Sequence, residues 1–364
     1  MGSPAVSIVM AVFNGEAFLA EAVESILGQT LRDFEFVIVD DGSTDGTSGI
    51  LSDYAKRDPR VRVFTQQNKG RADSLNFGIN LARSDLIARM DADDISLPHR
   101  LKDQREFMDG HNEVGLLGGT VEFIGPERQK LGVFKSPEED RELRAGMRRC
   151  NQFYHPTVMM RKEVVLAAGG YRRALRDADD YDLFLRIAER ARMASLAKPV
   201  LLYRIHANQT SVLRMTHQAL CVLAARVAAS LRSRGSADPL SGIEEVTPEL
   251  VRNMGASAEE IRREAVNEHA FWLPLLAEVN TDGGLQLIDN LLQLCYSGLG
   301  APERIAAAGA LLKAASIHFK QRRFTKALAS GGRGLFVQPL EAGRIIKMAI
   351  ARRARSLNAR VDTP

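Results

Sequence analysis

Along the first hundred residues, short unbroken apolar runs alternate with stretches in which apolar residues recur every three or four positions. The runs lie at 6–13, 34–39, 61–65 and 86–90 and have the length of buried strands. After the first, Phe18, Leu19, Ala22, Val23, Ile26 and Leu27 share one helical face. Ile50, Leu51, Tyr54 and Ala55 do so after the second, before Asp58-Pro59 ends that helix. Leu75, Phe77, Ile79 and Leu81 mark a shorter helix after the third. Repeated strand–helix units predict an α/β chain whose mostly parallel sheet is covered by helices on both faces. From Arg214 onward the strand pattern gives way to Ala- and Leu-rich helical spacing, interrupted at 235–242 and at Asp282-Gly283-Gly284. The expected organisation is therefore an α/β domain over 1–213 and a helical domain over 214–364. Within the latter, 314–339 has the look of one tetratricopeptide-type hairpin; with no second copy at that period, an ordinary helical bundle is the expectation.

In sheets of this kind ligands bind beyond the carboxyl ends of the strands. Two acidic clusters fall at that edge, Asp40-Asp41 with Asp45 after the second run and Asp91-Ala92-Asp93-Asp94 after the fourth. Asp45 and Asp94 read as helix and turn caps. Capping accounts poorly for Asp41 and Asp93 together, whereas Asp-x-Asp at a strand end can hold Mg²⁺ or Mn²⁺ against the charge of a departing diphosphate. A dinucleotide oxidoreductase is disfavoured, because no G-x-G-x-x-G follows any predicted strand.

Composition adds little to this except at the chain's end. No run approaches eighteen uninterrupted apolar residues, and 6–13 has no basic leader, so it reads as a strand and not as a signal peptide or membrane span. Cys150, Cys221 and Cys295 are too far apart for a disulfide framework or zinc pattern, which fits a reducing, cytoplasmic setting. The net charge of +4 hides an excess of +12 between residues 304 and 360, leaving −8 elsewhere. Ile345, Ile346, Ala349 and Ile350 can share one helical face there while Arg344, Lys347, Arg352, Arg353 and Arg355 supply charge. Peripheral contact of 341–360 with an anionic membrane, at the inner face, is the expectation, and no nucleic-acid partner is expected.

Several motifs then occur in an informative order. They are Val6-Ser7-Ile8-Val9-Met10 leading to Phe13-Asn14, Glu24-Ser25-Ile26-Leu27-Gly28-Gln29-Thr30, Val37-Ile38-Val39-Asp40-Asp41-Gly42-Ser43, the stretch 68–76, and Met90 to Asp94 with Pro98-His99-Arg100-Leu101. His155-Pro156, Gly169-Gly170-Tyr171, Asp179-Asp180-Tyr181-Asp182 and Tyr203-Arg204-Ile205-His206 continue the series. Over roughly residues 4 to 212 the chain resembles the inverting glycosyltransferases of family two, a class that includes bacterial polysaccharide enzymes. The resemblance implies the GT-A nucleotide-sugar-binding fold, which is Rossmann-like, and a nucleotide diphosphate sugar as donor, UDP favoured. A glycan or lipid-linked acceptor and Mn²⁺ or Mg²⁺ are implied with it.

By that resemblance Asp41 pairs with the donor base through its N3 hydrogen, with Phe13, Asn14 and Arg71 beside the nucleotide; Arg71 also reads as a solvated surface arginine. Asp91 contacts ribose or metal, and Asp93 ligates the metal. His206 completes the metal shell, touches the diphosphate, or is structural, and His155 shapes the acceptor side or packs internally. The family commonly has Glu-Asp where this chain has Asp179-Asp180. Asp180 takes the role of general base, with Asp177, Asp179 and Asp182 as rivals or as partners of a helix N-terminus. A different class of reading is a catalytically silent scaffold acting through its helical domain.

Overall fold

The computed structural model describes residues 3–206, 209, 213–279, 301–320, 326–327, 329–331 and 333. The four apolar runs form β1 (Val6–Val12), β2 (Phe34–Asp40), β3 (Val61–Thr65) and β4 (Leu86–Arg89), parallel neighbours in the order β3-β2-β1-β4. All seven positions of β2 are buried, as expected of a central strand covered on both faces. The intervening helices are α1 (Leu19–Leu27), α2 (Thr47–Arg57) and α3 (Arg71–Leu81). Leu19, Ala22, Val23 and Ile26 are the buried face of α1. On the other side of the sheet, α3 comes so close at Gly78 that a Cβ there would lie 2.6 Å from Cγ1 of Val9.

Beyond β4 the sheet is mixed. β5 (Ile95–Ser96) and α4 (Arg100–Gly110) lead into β6 (Val114–Ile124) and β7 (Lys130–Phe134), an antiparallel hairpin. After α5 (Asp140–Met147) come β8 (Met159–Arg161), α6 (Lys162–Ala167), α7 (Asp179–Ala188) and β9 (Arg192–Arg204). β8 joins β4 to β6 antiparallel to both, β9 lies parallel to β6, and β5 closes against β9. The α/β expectation holds, but its parallel character is confined to the strand–helix repeats and the β6–β9 pair, because hairpins and short strands replace crossover units after β4.

A buried polar pin holds the parallel half. Glu35, 4% exposed, accepts from the Ser7 hydroxyl at 2.6 Å, the Arg83 amide at 2.6 Å and Arg62 at 2.5 Å. Burial alone would raise its pKa, but these donors together outweigh burial and hold it below the usual glutamate value. For a depressed carboxylate the stabilisation is complete above the unfolded pKa and is lost as pH falls through the folded one. Glu35→Gln is thus expected to cost about 1–3 kcal/mol near neutrality and progressively less in acid, read by thermal melts across pH. A pH-independent difference would count against the ionised form.

The chain gathers into two compact units, Met1–Arg204 with Cys221–Met254, and Ile205–Leu220 with Gly255–Pro364. The segment 221–254, which includes most of α8 (Met215–Ser233) and all of α9 (Pro248–Asn253), thus groups with the sheet, past the border expected at 213. In the second unit α10 (Ala258–Glu278) starts at a capping box formed by Ser257 and Glu260, buries Val266, Trp272, Leu273 and Leu276, and packs on α11 (Ala301–Lys320). The basic segment 341–360, Cys295 and most of the second half of the expected 314–339 hairpin lie outside the described residues. Among the described residues no helix is long and apolar enough to cross a membrane.

Candidate active site

Asp41 follows β2, and its neighbour Gly42 has φ +78, so the chain turns sharply toward the loop after β3. That loop wraps the carboxylate: Oδ1 accepts from Gln66 Nε2 at 2.8 Å and the Lys69 amide at 2.9 Å, and Oδ2 from the Gly70 amide at 2.8 Å. Asp41 is 3% exposed, yet Oδ2 with its single donor keeps a lone pair for one more. Across the turn, Asn14 is held at φ +51 by loop-to-loop bonds: its amide donates to Ser43 Oγ and its Oδ1 accepts from the Thr44 amide. Phe13 beside it is half exposed, a large ring facing solvent at the end of β1. Asp45 makes a local turn bond, accepting from the Thr47 amide two residues on, and also accepts from the Glu16 amide 29 residues away.

The acidic turn after β4 is held from beneath by two buried arginines, Arg89 and Arg204, each 1% exposed. Arg89 pairs with Asp91 Oδ1. Arg204, at the end of β9, donates its Nε to the Asp93 carbonyl at 2.8 Å and its backbone amide to Asp94 Oδ1 at 2.8 Å. Its guanidinium also pairs with Glu21 and lies 4.5 Å above the Phe18 ring. Asp94 is therefore no local turn cap: its partner lies 110 residues away, and its buried Oδ2 has no hydrogen bond among the described residues. Burial foremost, then Asp93 and Asp91, push its pKa well up, and after burial the same three aspartates raise the phenol of the half-buried Tyr203. Carboxylates crowded in this way, hard oxygen donors with an orphaned oxygen among them, suit a dication.

Among the described residues no three His, Cys, Asp or Glu side chains converge as a ready-made metal cage. His206 lies two residues past β9 and groups with the second unit.

The third group comes from the start of α7. Asp179 is fully buried and paired bidentately with Arg71, Nη2–Oδ1 2.6 Å and Nε–Oδ2 3.2 Å. Arg71 also donates to the Arg176 carbonyl at 3.0 Å; burial opposes its charge, but Asp179, Asp180 and Asp91 outweigh it and raise its pKa. The residue expected beside the nucleotide thus joins the Asp-x-Asp turn to α7 electrostatically. Asp182 is held by Arg186 at 2.7 Å, a structural pair inside α7. Asp180 is half-buried and accepts a 3.0 Å bond on Oδ2 from Asn151 Nδ2. Burial and the Asp179 charge, opposed by Arg71, push Asp180 up to about 6. His155 packs internally, its Nε2 2.8 Å from the Tyr171 hydroxyl and its ring against Phe184; burial, then Arg89 and Arg71, hold it well below the usual histidine value.

Two motif segments meet here: Asn76 on α3 exchanges two 2.8 Å bonds with the backbone of Tyr171, fixing the chain that leads to α7. Beside it a groove of about 470 Å³ opens between Lys69 and Arg71 on one wall, Arg173 and Arg176 on another, and Glu244 and Glu245. Sequence reasoning did not find Asn151, Arg89 or the anchoring role of Arg204; burial of a long cation beside an acidic turn carries no local signal.

The chain matches the family model for glycosyl transferase family 2 over residues 7–167. It is 34% identical over 226 residues to an uncharacterised glycosyltransferase of Methanocaldococcus jannaschii, covering 60% of this chain and 77% of that one. To the O-antigen biosynthesis glycosyltransferase WbnJ of Escherichia coli it is 32% identical over 209 residues, 56% of this chain and 81% of the relative. Two solved structures share the fold. Residues 1–349 of S. aureus TarS in complex with UDP-GlcNAc superpose with a TM-score of 0.53 at 15% identity, covering 93% of this chain and 92% of that one. The mannosyltransferase PcManGT of Pyrobaculum calidifontis, in complex with GDP-Man and Mn²⁺, gives 0.50 at 16% identity, with 92% and 88% covered. With an α/β sheet of GT-A type and relatives matched over most of their length, the chain belongs to glycosyl transferase family 2 and is an enzyme that transfers sugar.

Proposed function

We propose that the enzyme is a metal-dependent, inverting transferase that takes a sugar from a UDP-sugar and passes it to a hydroxyl of a glycan or lipid-linked acceptor. The observation that carries this reading is the division of labour among the carboxylates: Asp91 and Asp93 share a crowded turn, while Asp180 stands apart with one oxygen anchored and its pKa pushed up to about 6. A bound Mg²⁺ or Mn²⁺ would be held by Asp93 and Asp91 and would neutralise charge on the departing diphosphate. Asp41 receives the N3–H of uracil on Oδ2, and Phe13 covers the base. Asp180 accepts the proton of the acceptor hydroxyl as it attacks the anomeric carbon from the face opposite the diphosphate, which inverts that centre. The O-antigen relative supports a polysaccharide-type acceptor, and the UDP-GlcNAc and GDP-Man complexes support a nucleotide-sugar donor.

Release of nucleoside diphosphate from a panel of UDP-, GDP- and TDP-sugars, with Mn²⁺ and with chelator, tests the reading. UDP-sugars are expected to be turned over, and only with metal; Asp93→Asn is expected to lose the metal-dependent part. Asp41→Ala is expected to weaken UDP binding about five- to a hundred-and-fifty-fold, the loss of one buried hydrogen-bonded partner. Preference for a GDP-sugar would overturn the uridine assignment, and full activity in chelator would overturn the metal.

A further inference from the structure

We infer that Asn151 is a positioning residue for Asp180, fixing by a hydrogen bond to Oδ2 which carboxylate oxygen is presented to the acceptor hydroxyl. This rests on the reading of Asp180 as the general base. The residue lies in the short segment between α5 and β8, which is tied down along its length. The Tyr181 hydroxyl donates to the Met147 carbonyl, Arg226 of α8 donates to the Arg149 carbonyl, and the Ser136 hydroxyl donates to the Gln152 carbonyl.

Asn151 itself is oriented by a local turn. Its Oδ1 accepts from the Phe153 amide at 3.1 Å, so its NH₂ group is the end directed at Asp180. No other side chain donates to Asp180 among the described residues. Asp179 on its own helix and Arg71 from α3 also act on this carboxylate, as do the backbone amides of Tyr181 and Asp180, and Tyr171 lies in its field.

The chemistry of the amide suits the task. A neutral donor fixed at Oδ2 favours the ionised carboxylate without pairing it to a cation that would weaken it as a base. An aspartate at 151 could keep the turn with Phe153 but would face Asp180 with an acceptor and a like charge.

Asn151→Asp and Asn151→Ala test this, each with UDP affinity and thermal melting as controls for folding. Asn151→Ala is expected to lower kcat about five- to a hundred-and-fifty-fold with UDP affinity unchanged. Asn151→Asp is expected to lose more at neutral pH and to shift the acid limb of the kcat/KM profile upward by about one unit or more, as coupled carboxylates do. If Asn151→Asp does not fold, the kcat loss in Asn151→Ala decides alone. Unchanged kcat in Asn151→Ala, or an unmoved limb in a folded Asn151→Asp, overturns the inference. Asp180→Asn measured alongside separates the two readings: near-normal turnover there removes the base assignment, whereas its inactivity beside a normal Asn151 series removes only the role of Asn151.

Discussion

Asp180→Asn is expected to lower turnover by roughly 10² to 10⁴, about 3 to 5 kcal/mol of barrier, while UDP affinity stays nearly unchanged. An acceptor hydroxyl is a poor nucleophile until a positioned base takes its proton, and an amide cannot do so. Burial and the Asp179 charge push Asp180 up to about 6, so a base working at neutral pH is largely ionised yet still a competent proton acceptor. The sign follows from that role: with Asp180 as the base, the wild-type kcat/KM is expected to fall as pH drops through about 6, because a protonated carboxylate cannot accept the acceptor's proton. The variant should lose that limb along with its turnover. Near-normal turnover, with the loss appearing instead in Asp179→Asn, would move the role to the neighbour. Asp182→Asn is not an equal rival, since Asp182 is fully buried against Arg186 and its loss would act through folding.

The parts of this site that were legible in the sequence share one property: their signal is local. The strands β1 to β4 announce themselves as unbroken apolar runs because helices cover both faces of that half of the sheet. β5 with two residues and β8 with three are too short for any period to show, and their pairing depends on partners far along the chain. Asp41, Asp91 and Asp93 stand directly after such runs, so their place at the carboxyl edge follows from the runs themselves. Asp94 looked like a turn cap because Asp-rich turns usually cap themselves, but its amide partner is delivered by β9 across 110 residues. Arg71 pairs across 108 residues and Asn151 donates across 29, separations that neither propensity nor spacing encodes.

Arg71→Met is expected to destabilise the fold by about 3 to 5 kcal/mol at pH 8, because it strands the fully buried Asp179 carboxylate without its partner. Desolvation already raises the Asp179 pKa, with Arg71 as the main opposing influence. Removing the guanidinium lets the folded pKa climb further above the unfolded value. For an acid shifted in that direction, stability is retained below the unfolded pKa and lost as pH rises through the folded one. The deficit should therefore be small near pH 4 and deepen toward pH 8, which urea unfolding at the two values measures. Arg71→Met with Asp179→Asn should recover much of the loss, since the double variant leaves no buried charge unpaired. Asp180 feels the same guanidinium, so the acid limb of kcat/KM in Arg71→Met should move upward from its wild-type position near 6. If instead stability is unchanged and UDP affinity drops, Arg71 serves the nucleotide, as its place in the 68–76 motif first indicated, and the pair with Asp179 is broken when the donor binds.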